Sequence, residues 1–204
     1  MRDDETSTPF PAAGLPRSAA PLPVVYIADT LLDHTAVLLA SFAEQEPHEG
    51  VVYWFGIECG ARAVITMLVV PDADSSGGDV VTSAAANAEA LTAIVGTPLV
   101  LLGQAHSHPG GHVWHSDVDD RDTFAQFPGA LSVVVPYFGW YGADLACCGV
   151  HRHLDGAFRR IAANRIGEHL VVLPGTRDFR GVGAHVSTNG ISARPRVRST
   201  WRPA

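Results

Sequence analysis

Residues 98–105 read Pro-Leu-Val-Leu-Leu-Gly-Gln-Ala, closed by Pro98 at one end and by His-Ser-His-Pro-Gly-Gly at the other. A run this short and this apolar has no solvent face and cannot span a bilayer, so it predicts a strand buried on both sides of a sheet. The rest of the chain supplies what such a strand needs. Thr30 to Glu44 places Leu31, Leu32, His34, Thr35, Leu38, Leu39 and Phe42 at helical spacing, with Thr30 as N-cap. Residues 81–95 are Ala-rich and helical, and Ser116 to Phe127 opens with Ser and a cluster of Asp, which suits the positive end of a third helix. The β-branched and aromatic runs at 50–55 and 63–71 flank Gly-Ile-Glu-Cys-Gly-Ala-Arg and read as a hairpin; further strands are expected at 131–136, 144–152, 157–162 and 169–173. The mixture predicts one α/β (α+β) domain over residues 24–182, without internal repeats.

Outside that unit, residues 1–23 are expected to be a disordered Pro-rich arm and residues 183–204 a basic flexible tail. Residues 1–175 carry a net charge of −12 and residues 176–204 a net +5, and every basic residue is Arg. The acidic body argues against nucleic acid as a ligand, because phosphate binding needs clustered positive charge. The three cysteines form no CxxC pair, since Cys147 and Cys148 are adjacent and Cys59 stands apart; reduced thiols in a cytoplasmic compartment are expected. The opening residues contain no basic segment leading into an apolar core, and no apolar run approaches the roughly 18 residues of a membrane span.

The chemistry is concentrated after the buried strand. His106 and His108 stand two apart at its end, so their side chains share a face and the two imidazoles converge. Asp119, at the start of the next helix, is placed to complete a His2Asp set around Zn2+, with the fourth tetrahedral position open as in catalytic zinc sites. The chain contains no GxSxG elbow for a serine nucleophile, and Cys147 and Cys148 fall inside a predicted strand as packing residues. His115 reads as a loop-surface or substrate-lining residue. The second HxH, at His151 and His153, has only Asp155 as a nearby carboxylate and is discounted as a metal site.

The spacing His106-x-His108-x7-Ser116-x2-Asp119 resembles, at every fixed position, the motif of the JAMM (JAB1/MPN+) metalloproteases. That family also carries an upstream glutamate in the pattern Glu-x2-Gly-x-Leu-x-Gly. Here Glu49-Gly50-Val51-Val52-Tyr53-Trp54-Phe55-Gly56 keeps the glutamate and the last glycine, with Glu58 as the competing candidate. The resemblance implies a single MPN/JAB domain with a central twisted mixed sheet flanked by helices, layered like a cytidine deaminase. It implies one Zn2+ per chain on His106, His108 and Asp119, with Glu49 as general base and acid and Ser116 as oxyanion donor. Trp114 and His112 are expected to line the substrate. The implied activity is hydrolysis after the C-terminal glycine of a ubiquitin-like modifier, deconjugating it or maturing its precursor, beside E1/E2-like partners and in some relatives within antiphage operons. Processing of a sulfur-carrier protein and a non-catalytic scaffold are the alternatives.

Overall fold

The computed structural model describes residues 23–75 and 78–175. In chain order the elements are β1 (Val24–Ala28), α1 (Asp29–Ser41), β2 (Val51–Cys59), β3 (Arg62–Val69), the two-residue strands β4 (Asp74–Ser75) and β5 (Val80–Val81), and α2 (Ala84–Thr92). They continue with β6 (Val100–Ser107), α3 (Asp117–Asp122), β7 (Leu131–Val135), β8 (Gly149–Leu154), β9 (Ala157–Arg160) and β10 (Leu170–Leu173). Among the described residues, eight strands form one mixed sheet in the order β10-β1-β3-β2-β6-β7-β8-β9, while β4 and β5 pair separately. The expected arm over 1–23, save Pro23, and the tail over 183–204 lie outside the described residues.

Helices cover both faces, which is why the central strands read as continuous apolar runs. On one face, Leu32, Ala36 and Leu39 of α1 pack on Val25, Ile27, Trp54, Leu131 and Val133. Thr35 is buried there without penalty, because its hydroxyl donates to the Leu31 carbonyl (2.9 Å) and accepts from Trp54 Nε1 (3.2 Å). On the other face, Ala90 of α2 and the following Ile94 pack on Val51, Tyr53, Phe55, Leu101 and Phe127. Strand β2 therefore sends Val52 and Trp54 to one layer and Val51, Tyr53 and Phe55 to the other. Each large apolar side chain buried this way contributes about 2 kcal/mol.

Local chemistry moved several boundaries. Helix α1 begins at Asp29, with Ala28 and not Thr30 in the N-cap position, and Asp29 Oδ1 accepts from the Thr30 and Gly175 N–H groups. Strand β2 continues through Ile57-Glu58-Cys59, because Gly60 adopts φ 61° and closes the hairpin in two residues. Glu58 consequently lies on a strand and not in a turn. Helix α3 is only six residues long and stops at Thr123, whose ψ of 126° leaves the helical region. Cys147 and Cys148 sit in a turn before β8, the first exposed and the second buried, so the strand predicted over 144–152 starts only at Gly149. Among the described residues no helix is long and apolar enough to cross a membrane.

Candidate metal centre

The site is built where β6 ends. His106 pairs with Val51 of β2 on one side and Val134 of β7 on the other, so its imidazole is fully buried in the middle of the sheet. His108 lies just past the strand, and its N–H still donates to the Val135 carbonyl at 2.9 Å, which keeps its side chain on the same face. Opposite them, Ser116 caps α3: its Oγ accepts from the Asp119 N–H (3.2 Å), and Asp119 Oδ2 accepts from the Ser116 N–H (2.6 Å). This reciprocal capping box fixes the Asp119 carboxylate toward the two imidazoles.

His106 Nε2 lies 3.3 Å from Asp119 Oδ1, and His108 Nε2 lies 3.3 Å from Asp119 Oδ2. One ligand atom from each of the three residues falls within 4.8 Å of the others. Two atoms each bound to a common tetrahedral zinc stand roughly 3.3 Å apart, so this spacing fits a metal ion. Two further observations agree with that fit. Both ring nitrogens of His106 are buried without a hydrogen-bond partner, as suits a lone pair reserved for an ion. His108 Nδ1 lies 2.9 Å from the His112 carbonyl, which can only accept, so Nδ1 carries the proton and Nε2 the lone pair. Burial by itself would raise the Asp119 carboxyl, but the His106 and His108 imidazoles and the Ser116 N–H hold it well below the usual carboxylate range.

Glu49 is buried immediately before β2. Burial pushes its carboxyl up to about 7, opposed by His108 and reinforced by Asp119. Glu58 lies near the opposite end of β2 from Glu49 and is exposed. An open cavity beside His106 and Asp119 is lined by Val51, Tyr53, Thr82, Val118 and Phe124. Trp114 is exposed with the Arg160 guanidinium 4.1 Å above its ring, and the exposed His112 ring lies parallel to that of His108.

The polar face of the sheet holds more than the sequence motif contains. His115 is almost wholly buried, with Nδ1 2.8 Å from Asp120 Oδ1 and Nε2 2.9 Å from Ser132 Oγ. Its ring packs on His151 at 4.1 Å and on Phe158 at 4.8 Å. His115 is thus a buried structural residue and not part of the loop surface. Burial and the neighbouring His106 pull its pKa down to about 4, so it is neutral. His151 and His153 are also buried, and the strand alternation that puts them on the His106 face was the signal for this cluster. Among the described residues they join no second group of converging metal ligands.

An α/β sheet that brings two histidines and an aspartate to one point, beside a buried glutamate, has the donor set of a metal-dependent hydrolase. A known relative supports the metalloprotease class. The chain is 35% identical over 112 residues to the probable metalloprotease y4jG of Sinorhizobium fredii, covering 53% of this chain and 68% of that protein. The solution structure of protein DSY2949 from Desulfitobacterium hafniense shares the fold, with a TM-score of 0.55 at 14% identity over 74% of this chain and 94% of that one. A JAB1/MPN domain protein from Archaeoglobus fulgidus aligns with a TM-score of 0.43 at 17% identity over 73% of this chain and 96% of its own. No family model matches the sequence. The chain belongs to the JAMM (JAB1/MPN) metalloprotease family, and its enzyme class is that of a JAMM-type metallopeptidase.

Proposed function

We propose that the chain is a zinc isopeptidase or endopeptidase that hydrolyses the amide bond after the C-terminal glycine of a ubiquitin-like modifier. The observation that carries this reading is the convergence of His106, His108 and Asp119 beside the buried Glu49 carboxyl. In this reading the three residues hold one zinc per chain. When bound, the ion supplies Lewis acidity that makes hydroxide available near neutral pH.

The protein's own groups do the rest. Glu49, poised at about 7, takes the proton of the attacking water and returns it to the leaving amine. Ser116 Oγ uses a lone pair for its cap on the Asp119 N–H, which leaves the hydroxyl proton free to donate to the developing oxyanion. Tyr53 bonds Thr82 (2.8 Å) and Asn87 (2.6 Å), stiffening the wall of the cavity beside the ligands. Trp114 and His112, exposed on the loop between His108 and Ser116, line the approach of the modifier's tail. Companion E1/E2-like enzymes, a cytoplasmic setting and an antiphage operon complete the proposal.

The test is metal content first and cleavage second. About one zinc per chain by elemental mass spectrometry, lost in His106→Ala, is expected, followed by chelator-sensitive cleavage of ubiquitin-like fusions after Gly-Gly. No zinc after reconstitution would overturn the metal assignment. Zinc binding without cleavage of any such fusion would overturn the substrate class alone.

A further inference from the structure

We propose that His115 is a positioning residue: it pins the Asp119-bearing helix to the sheet and thereby sets the affinity of the metal centre. The proposal rests on the assignment of His106, His108 and Asp119 as metal ligands.

Helix α3 cannot hold its own place. It has six residues, none of them buried, so it has neither the length to be stable alone nor an apolar face to anchor it. Its capping box is internal to it. Thr123 Oγ1 donates back to the Asp119 carbonyl, and Gln126 Nε2 donates to the carbonyls of Asp120 (3.0 Å) and Arg121 (2.8 Å), so these ties close within α3 and the few residues after it. They shape the helix; the chain after it is held to the sheet by Phe124, whose ring lies 5.1 Å from that of Tyr53, and by the Ala125 N–H, which donates to Gln104 Oε1 at 3.5 Å, so the end still to be located is the N-terminal one, which carries Ser116 and Asp119.

His115 does locate it. The residue directly precedes the Ser116 cap, and its ring spans the gap from α3 to β7. The Asp120 carboxylate can only accept, so Nδ1–H donates to it across 2.8 Å; Nε2 is then the acceptor for the Ser132 hydroxyl at 2.9 Å. Ser132 is fully buried and sits on β7 opposite His151 of β8. The ring has a floor in His151 and Phe158, and its other flank lies 5.5 Å from the His106 ring. Both partners of His115 are therefore fixed to the rigid part of the site: one to the ligand-bearing helix, the other to the strand beside β6. Groups that orient metal ligands in this indirect way typically change metal affinity by about 10- to 100-fold when removed.

The experiment measures zinc affinity by competition with a chromophoric chelator for wild type, His115→Phe, Ser132→Ala and the double variant, with apo melting curves alongside. Phenylalanine keeps the ring contacts with His151 and Phe158 but has no nitrogen for Ser132 or Asp120. Each single variant is expected to bind zinc about 10-fold or more weakly. The double variant should be no weaker than His115→Phe, because both changes cut the same link. Cobalt(II) loaded in place of zinc should show altered visible bands in His115→Phe, a sign of displaced ligands that a general loss of stability does not produce. Wild-type affinity and unchanged cobalt bands in the single variants, or penalties that simply add, would overturn the proposal. If His115→Phe does not fold, Ser132→Ala decides the matter by the same two readings. Failure of the wild-type protein itself to bind zinc would instead remove the metal assignment on which the inference stands.

Discussion

Val51 on β2 stands opposite His106 on β6, and that register pair brings Glu49 to the metal-site imidazoles. Two bonds lock it: the Ser107 N–H donates to the Gly50 carbonyl (3.0 Å), and the Gly50 N–H donates to Ser107 Oγ (2.9 Å). A slip of one residue would turn every β2 side chain to the opposite face. Glu49 and the two histidines are therefore placed by one ladder, although they are far apart in sequence.

Glu49→Gln removes the proposed base without changing the shape of the site. Turnover should fall by about 10²- to 10⁴-fold, the usual contribution of a positioned base, with zinc content unchanged. Glu58→Gln, at the distant exposed end of β2, should leave both unchanged. Steady-state kinetics and elemental analysis on the two variants check this, and loss of turnover in Glu58→Gln alone would refute the assignment of Glu49.

Asp119→Ala should abolish zinc binding. An ion that binds only the folded state stabilises it by about 2.7 kcal/mol at 100-fold excess over Kd. The wild-type melting temperature should therefore fall on chelation, whereas that of Asp119→Ala should not respond to chelator or added zinc. A zinc-dependent shift retained in the variant would take Asp119 out of the ligand set.

The convergence of His106, His108 and Asp119 was legible because its logic is local: strand alternation aims His106 and His108 together, and a capping Ser three residues before Asp119 marks the next helix start. The sheet layers were legible from apolar runs such as Val51–Phe55 and Leu101–Leu102. The strand Val24–Ala28 leaves no clear signal in the sequence, because a short apolar run after a Pro-rich segment has no periodicity of its own; its partners β3 and β10 are remote in sequence. The burial of His115 is illegible in the sequence for a similar reason. Nothing near it in sequence foretells Ser132 and His151, which reach it only through the pairing of β7 with β8.

His151 should make the fold acid-sensitive. Burial, then His115, His106 and Arg160, pull its pKa from 6.5 down to about 3. Below about 6.5 the unfolded chain takes up a proton that the folded chain refuses, so this group's contribution to stability is complete above that pH and is lost progressively toward pH 3. His151→Phe removes the titrating group while keeping an aromatic ring beside His115. Urea midpoints at pH 7.5 and pH 5 should drop further in wild type than in His151→Phe. Equal drops would show that His151 is not the group responsible.

Gly149 tests how tightly the loop carrying Ser116 must seat on the sheet. A Cβ at this position would lie 1.8 Å from the Val113 carbonyl oxygen, and the obstacle is backbone, which cannot swing aside as a side chain would. In Gly149→Ala the loop between His108 and Ser116 must lift from β8, moving the start of α3 and the Asp119 carboxylate with it. The cost to folding should be about 1–3 kcal/mol, typical of a forced overlap in a packed region. Zinc affinity should fall as well, because the strain enters beside the ligands. Gly110→Ala is the matched control: it lies on the same loop, with no atom within 4 Å of the added Cβ, and should change neither quantity. Chemical denaturation and zinc competition on the pair separate the two cases; a Gly149→Ala variant with wild-type zinc affinity would show that the centre does not depend on the seating of this loop.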